Sequence, residues 1–298
     1  MDNNSLFHVS EKRKQVWEIE MQILDAFVSI CKTKGLSYYL IGGSLLGAVR
    51  HNGFIPWDDD IDIGMPRKDY DKFVKIANEL LPDPLFLQSN ETETGFYYGH
   101  AKIRNSQTTA IRKLDWGSGS LFNQGIFIDI MPFDAIPNNC FIRKTHYYII
   151  SFLRKLILRS CYYGGLDKHT VKNKIFHFFT KIVSLFISPH TLSILYDIIV
   201  KAFENRNTAY VGQISTSYDY VKSRRERTIY DELIDHQFED RVYKIPKRYE
   251  EILNPAYGDW RTPKPQAPTL HGTTFFDPNH PYTYYLEGNG KVDFDIPL

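Results

Sequence analysis

The run YLIGGSLLGAVRHNGFIPWDDDIDIG, from Tyr39 to Gly64, decides how this chain is read. Ser37 to Ile41 is a short β-rich run that stops at Gly42-Gly43, and Ser44 to His51 reads as a short helix opening from that turn. After a loop with Gly53 and Pro56, Asp60-Ile61-Asp62-Ile63 alternates polar and apolar residues as a half-buried strand does. On a strand, residues two apart share a face, so Asp60 and Asp62 should point together while Ile61 and Ile63 enter a core. Asp58 to Asp62 could also be a plain solvated acidic turn. Two like charges side by side repel, however, unless a cation lies between them, and hard oxygen donors suit Mg²⁺ or Mn²⁺. Gly42, Gly43 and Ser44 lie at a strand end just before a helix. There, glycine lets backbone N–H groups approach a phosphate, and the helix N-terminus adds partial positive charge.

Working outward, Val16, Ile19, Ile23, Phe27 and Ile30 recur at helical spacing, with Ser10 as the expected N-cap and Gly35 as the stop. Arg67 to Leu81 reads as a helix ended by Pro82. Strands are expected at 85–88, 100–104, 108–112 and 125–130. In the last of these, Gly125-Ile-Phe-Ile-Asp129-Ile130, one Asp is embedded in an apolar strand, an expensive place for an unpaired charge. Asp129 is therefore expected to be a third metal ligand or to act on an incoming hydroxyl, with a satisfied structural Asp as the rival reading. Asp134 is open between a turn residue and a supporting role. Lys102 and Arg104 alternate on one strand face, where both could meet a phosphate. Arg50 and His51 close the first short helix and are weaker candidates of the same kind.

The fold class expected is α+β, a mixed sheet flanked by helices with a helical insertion. The divisions are a catalytic half at 1–137, long aromatic and basic helices at 138–206, and a Tyr- and Pro-rich irregular segment at 207–298 that folds back on the first half. Among 298 residues, 36 Lys and Arg face 35 Asp and Glu, a net charge of +1. That balance speaks against nonspecific nucleic-acid binding, which needs a basic surface. Three scattered cysteines without a CxxC spacing point to a reducing compartment and to neither disulfides nor zinc. The first twenty residues carry no apolar signal core. Tyr147–Leu158 is too short to cross a bilayer, and Ile175–Val200 is broken by His177, Lys181, Pro189, His190 and Asp197. Aromatics mixed with Arg143, Lys144, Arg154, Lys155, Arg159 and Lys168 leave two readings of the insertion, packed amphipathic helices or a membrane-facing surface.

The 39–64 run closely resembles the LicD family, part of the nucleotidyltransferase-fold superfamily, with fukutin-type ribitol-phosphate transferases as more distant relatives. The likeness continues at Lys102 in a Lys-Ile-Arg strand, at Gly125–Asp134 (GIFIDIMPFD), and at Tyr257-Gly-Asp-Trp260 followed by Pro263. The resemblance implies a nucleotidyltransferase-type core in which Asp60 and Asp62 match the metal-binding pair, Asp129 the third carboxylate, and Gly43 and Ser44 the phosphate-contacting turn. It implies two Mg²⁺ ions and a CDP-linked donor. The group moved would be a phospho-alcohol such as phosphocholine, passed to a hydroxyl of a surface glycan, lipopolysaccharide, teichoic acid or capsule, with CMP leaving. The acceptor could be lipid-linked, and the chain cytoplasmic or peripheral at the inner membrane face. Two alternatives share the motif: attack on the α-phosphate of a nucleoside triphosphate with pyrophosphate release, and a non-catalytic scaffold. Choline would also need aromatic faces, for which Tyr97, Tyr98, Trp116 and Phe122 lie between the expected strands.

Overall fold

The computed structural model describes residues 9–162, 171–216, 223–263, 274–295 and 298. The first helix, α1 (Glu11–Lys34), starts where Ser10 Oγ accepts from the backbone N–H of Arg13 at 3.1 Å and ends at Gly35 with φ 62°. β1 shortens to Tyr39–Leu40, and α2 opens at once, spanning Gly42–His51 rather than starting at Ser44. β2 is Asp62–Pro66, so Asp62 begins the strand and Asp60 lies in the loop before it. This corrects the expected strand over 60–63. α3 (Arg67–Leu80), β3 (Leu85–Gln88), β4 (Ala101–Asn105) and β5 (Thr109–Arg112) fall close to expectation. They are followed by a short α4 (Lys113–Ser118) and a long β6 (Ile126–Ile136).

The sheet runs β1-β2-β6-β4-β3 and is mixed, since β2 and β6 are parallel while its other pairs are antiparallel. A parallel neighbour needs a long crossover, here everything from α3 to α4. Strand alternation divides the two faces. Ile61, Ile63, Met65, Ile128 and Ile130 are buried with Phe27 of α1 and Phe73 of α3 in the main core. Each fully buried aliphatic of this kind contributes about 1.5–3 kcal/mol. Asp62 and Asp129 occupy the opposite face. At the far end of β6, Asp134 is wholly buried and takes a 2.5 Å bond from Arg67 Nε, where α3 begins. Burial pushes that carboxyl up to about 7 against the pull of the guanidinium. A guanidinium cannot shed its proton near neutrality, and its 2.5 Å contact favours the carboxylate as counter-ion. Asp134 thereby joins β6 to α3, well away from Asp129.

After β6 come α5 (Cys140–Cys161), α6 (Val171–Ser184) and α7 (Pro189–Val200). Ile150, Leu153 and Ile157 pack on Leu192, Tyr196 and Val200, and the cluster closes on Ile136 and Tyr97 of the sheet half. The segment expected to be irregular is not: it holds β7 (Tyr210–Gly212), β8 (Arg225–Glu226) and the hairpin β9 (Leu233–Phe238) and β10 (Arg241–Pro246). It continues with α8 (Glu250–Tyr257), β11 (Thr274–Asp277) and α9 (Tyr282–Leu286). Its prolines and tyrosines hid strands too short for periodicity to register. β7 extends the sheet from β6, β11 pairs with β5, and Phe238, Tyr243 and Ile245 of the hairpin enter the main core.

Candidate active site

Asp62 and Asp129 face each other across the parallel β2–β6 pair, and the Asp129 N–H donates to the Ile61 carbonyl at 2.8 Å. With Asp60 from the preceding loop they form a group in which one carboxylate oxygen from each residue lies within 4.8 Å of the others. Asp58, Asp59 and Asp60 form a second group of the same kind, so Asp60 is shared. Burial, reinforced by Asp62 and the other neighbouring aspartates, pushes Asp60 far above the usual carboxylate range. Burial and Asp129 push Asp62 up to about 8.

The Gly42-Gly43-Ser44 turn is locked onto these acids. Gly42 has φ 54°, and a Cβ there would come 2.8 Å from Asp62 Oδ2. A Cβ on Gly43 would collide with Asp58 Oδ2. Both positions need glycine because the first turn of α2 and the acidic loop touch backbone to side chain. Ser44 Oγ accepts from the Asp62 N–H at 2.8 Å, so it anchors the start of β2. No side chain caps the N-terminus of α2. Its first-turn N–H groups are therefore of the kind that serve an anion.

β4 supplies the countercharge. Lys102 lies opposite Asp129 and its Nζ donates to Asp129 Oδ1 at 2.5 Å. His100 Nε2 lies 3.1 Å from the same oxygen, and Phe127 lies beneath the ammonium at 3.4 Å. Burial alone would lift Asp129, but Lys102 and His100 outweigh it and hold its carboxyl well below the usual range. Burial likewise draws Lys102 down to about 8. The two tendencies oppose each other. With a 2.5 Å contact and His100 on the same oxygen, the pair is ionised at neutral pH.

Arg104 shares that strand face yet is turned inward. It is wholly buried and donates to Gln88 Oε1 at 2.5 Å and to the Gly125 carbonyl at 2.7 Å, bracing β3 and the start of β6. The alternation that singles out Lys102 on this strand also includes His100, two residues before it.

α1 contributes a brace that its periodicity only partly announced. Arg13, Trp17 and Glu20 lie on one helical face. Arg13 donates to the carbonyls of Pro56 at 3.1 Å and Asp58 at 3.3 Å, and Trp17 Nε1 donates to the Asp58 carbonyl at 3.1 Å. The Trp17 ring stacks on Phe54 at 4.6 Å. These contacts hold the carbonyls of the loop and leave its carboxylates to converge. Glu20 is buried behind the cluster with Oε2 unpartnered, and burial, together with Asp59 and Asp58, pushes it well above its usual range. We expect Trp17→Phe, which keeps the stack and loses the N–H, to cost about 1 kcal/mol in urea unfolding. It should also lower activity several-fold by loosening the acidic loop.

At the rim, Arg50 donates to the Trp260 carbonyl at 2.9 Å. Burial and Arg50 push His51 down to about 4, so it is neutral. Tyr257 of α8 is 39% exposed, but its hydroxyl end is enclosed, and burial with Asp62, Asp58 and Asp60 pushes the phenol up. Tyr257 is thus brought within electrostatic reach of the carboxylates across nearly two hundred positions of sequence. Of the aromatics considered for a quaternary ammonium, Tyr98 and Phe122 are committed to a buried cluster with Phe96 and Tyr162. Trp116 is partly exposed on α4.

The donor set fits a hard divalent cation. All the candidate ligand atoms are carboxylate oxygens, and two of the acids, Asp60 and Asp62, are lifted by burial and by the neighbouring aspartates. A family model described as LicD/FKTN/FKRP, nucleotidyltransferase domain, matches residues 35–162. The lipopolysaccharide cholinephosphotransferase LicD of Haemophilus influenzae is 31% identical over 257 residues, covering 83% of this chain and 90% of that protein. The ribitol 5-phosphate transferase FKRP of Homo sapiens is 50% identical over a short stretch of 42 residues, 14% of this chain and 8% of its own. An uncharacterized protein of Rickettsia typhi, RT0683, is 51% identical over 41 residues.

Proposed function

The chain belongs to the LicD family of phosphotransferases, and from that premise we propose that it moves a phosphocholine-like group from a CDP-linked donor to a hydroxyl of a surface glycan, releasing CMP. The observation that carries the reading is the convergence of Asp60, Asp62 and Asp129 within 4.8 Å beside the uncapped N-terminus of α2. That pairing of an acidic cluster with an anion-binding helix end suits a metal-bridged pyrophosphate. We assign residues 1–137 to a nucleotidyltransferase-type core, 138–206 to an insertion, and 207–298 to a segment completing the core. On this reading the reaction belongs on the cytoplasmic side, where nucleotide-linked donors are available.

Asp60, Asp62 and Asp129 would hold Mg²⁺ or Mn²⁺, two ions if Asp58 and Asp59 join. The metal would neutralise the donor's pyrophosphate and stabilise the departing phosphate. The chain's own groups do the rest. Backbone N–H groups of Gly42, Gly43 and Ser44 receive a phosphate oxygen. The acceptor oxygen forms a bond to the phosphorus bearing the alcohol while its proton passes to solvent, and the bond from that phosphorus to the CMP oxygen breaks with the electron pair leaving on CMP. Asp129, held well below the usual carboxylate range by Lys102 and His100, is a weak base. It is better suited to ligation and orientation of the acceptor than to removing its proton. Lys102 keeps Asp129 ionised, and Arg104 supports the site through Gln88 and the Gly125 carbonyl.

The deciding experiment incubates the purified chain with Mg²⁺, a glycan acceptor and CDP-choline, CDP-ribitol, CDP-glycerol or CDP-ethanolamine in turn. CMP release dependent on both metal and acceptor is expected. Pyrophosphate release from CTP in place of CMP would move the assignment to nucleotidyl transfer. No metal-dependent thermal shift with any of the four compounds would sink both.

A further inference from the structure

The helices α5, α6 and α7 expose more apolar surface than a core needs. Phe141 is 76%, Phe178 66%, Leu185 80% and Phe186 84% exposed, and Ile175, Ile182 and Ile198 are exposed as well. On α6 these residues recur at 175, 178 and 182, one helical stripe that runs directly into the α6–α7 turn at Leu185-Phe186-Ile187. Three consecutive apolar residues at an exposed turn are not what a solvent-facing corner selects.

The charge around them is equally one-sided. From Cys140 to Val200 the sequence has nine Lys and Arg against Asp167 and Asp197, a net +7 in a chain whose total is +1. One of those two acids, Asp197, is paired with Lys201 at 2.6 Å. Lys144, Lys155 and Lys181 are exposed beside the apolar stripes, while Lys168 lies outside the described residues. The rest of the molecule is therefore net acidic, and the basic charge is gathered where the apolar side chains are.

We propose that α6 and the α6–α7 turn form a docking surface for an anionic lipid bilayer, with Leu185 and Phe186 entering the headgroup–acyl boundary and the lysines meeting lipid phosphates. No single helix among the described residues is long and apolar enough to cross a membrane. The stretches Phe178–Ser184 and Pro189–Phe203 are apolar enough together but bend by 94° at the break. A right-angled corner suits insertion into one leaflet. The residues after the corner, Ser188 to His190, form one wall of an open cavity of about 700 Å³ whose other walls include Glu93, Tyr97, Ser120 and Phe122. Phe122 packs on Phe96, Phe96 on His100, and His100 reaches Asp129. The docking corner therefore sits beside a cleft whose Phe122 wall is joined to Asp129 through the packed side chains of Phe96 and His100. The inference stands on exposure and charge and does not depend on which group is transferred.

The test is flotation of the full chain with vesicles containing phosphatidylglycerol and with vesicles of phosphatidylcholine alone, at low salt. The parent chain should float with the anionic vesicles, remain behind with the neutral ones, and be released by salt. The double variant Leu185→Glu, Phe186→Glu replaces exposed side chains, so its melting temperature should match the parent while vesicle binding falls about ten-fold or more. Failure of the parent to float, or equal flotation of the double variant, overturns the proposal. A parent dimer that becomes monomeric in the double variant, with no flotation by either, would assign the surface to a second copy of the chain instead.

Discussion

Asp62→Asn is expected to lower turnover by at least about a thousand-fold, the scale of losing a group that stabilises charge in the transition state, while making the metal-free protein more stable. In the folded chain the Asp62 carboxyl is pushed up to about 8 by burial and Asp129, against 3.8 as the reference value. A carboxyl raised in this way favours folding most when protonated. Its contribution is fully present below about pH 4 and is lost as pH rises toward 8. At pH 8 the metal-free native state therefore holds a carboxylate that burial disfavours, and the neutral amide removes that cost. We expect the variant in EDTA to melt above the parent at pH 8 and with it at pH 4, a gain on the order of a few kcal/mol at the higher pH. Mg²⁺ should raise the parent's melting temperature more at pH 8 than at pH 6, because the ion must displace a proton at the lower pH. It should barely move the variant. Near-parental turnover, or a loss of stability at pH 8, would remove Asp62 from the metal site.

Lys102→Met carries the second large effect, with the opposite sign on stability. The Lys102–Asp129 contact is 2.5 Å long and both side chains are buried. Removing one member of a buried ion pair strands the other, at a cost of about 3–5 kcal/mol. His100, 3.1 Å from the same oxygen, is drawn below its ordinary value by burial but can still take a proton from solvent beside Asp129. The cost should therefore sit near the lower end and grow as pH rises past the range in which His100 is protonated. Urea unfolding at pH 6 and pH 8 reads both quantities. A variant as stable as the parent at both would mean that Lys102 is neutral in the folded protein. Activity should fall with stability, because an uncompensated Asp129 becomes a third raised carboxyl in a cluster that already holds Asp60 and Asp62.

The parts that were legible beforehand share a physical character. Ser10 and Gly35 delimit α1 as a cap and a left-handed stop do, and both signals lie within a few residues of the atoms they satisfy. Ile61 and Ile63 enter the core because alternation is a property of the strand itself. The misplaced features are those in which a contact outvoted a local pattern. Asp60 alternates with Asp62 yet lies outside β2, where Arg13 and Trp17 fix the neighbouring loop through its carbonyls. Arg104 alternates with Lys102 yet is drawn inward by Gln88 and the Gly125 carbonyl. The tail became strands because β5 and β6 offered open edges for β11 and β7 to pair with.

The sequence by itself determined the local chemistry: which acids are poised together, which glycines open a helix beside them, and which apolar residues turn away. Those are matters of backbone period and residue type, and they act over a few positions. Only the tertiary structure decided the electrostatic partners. Lys102 and His100 on Asp129, Arg13 and Trp17 behind the acidic loop, and Tyr257 at the rim arrive from separate elements. Charge interacts through space, and the low-dielectric interior that lifts Asp62 to about 8 exists only once the helices have closed over the sheet.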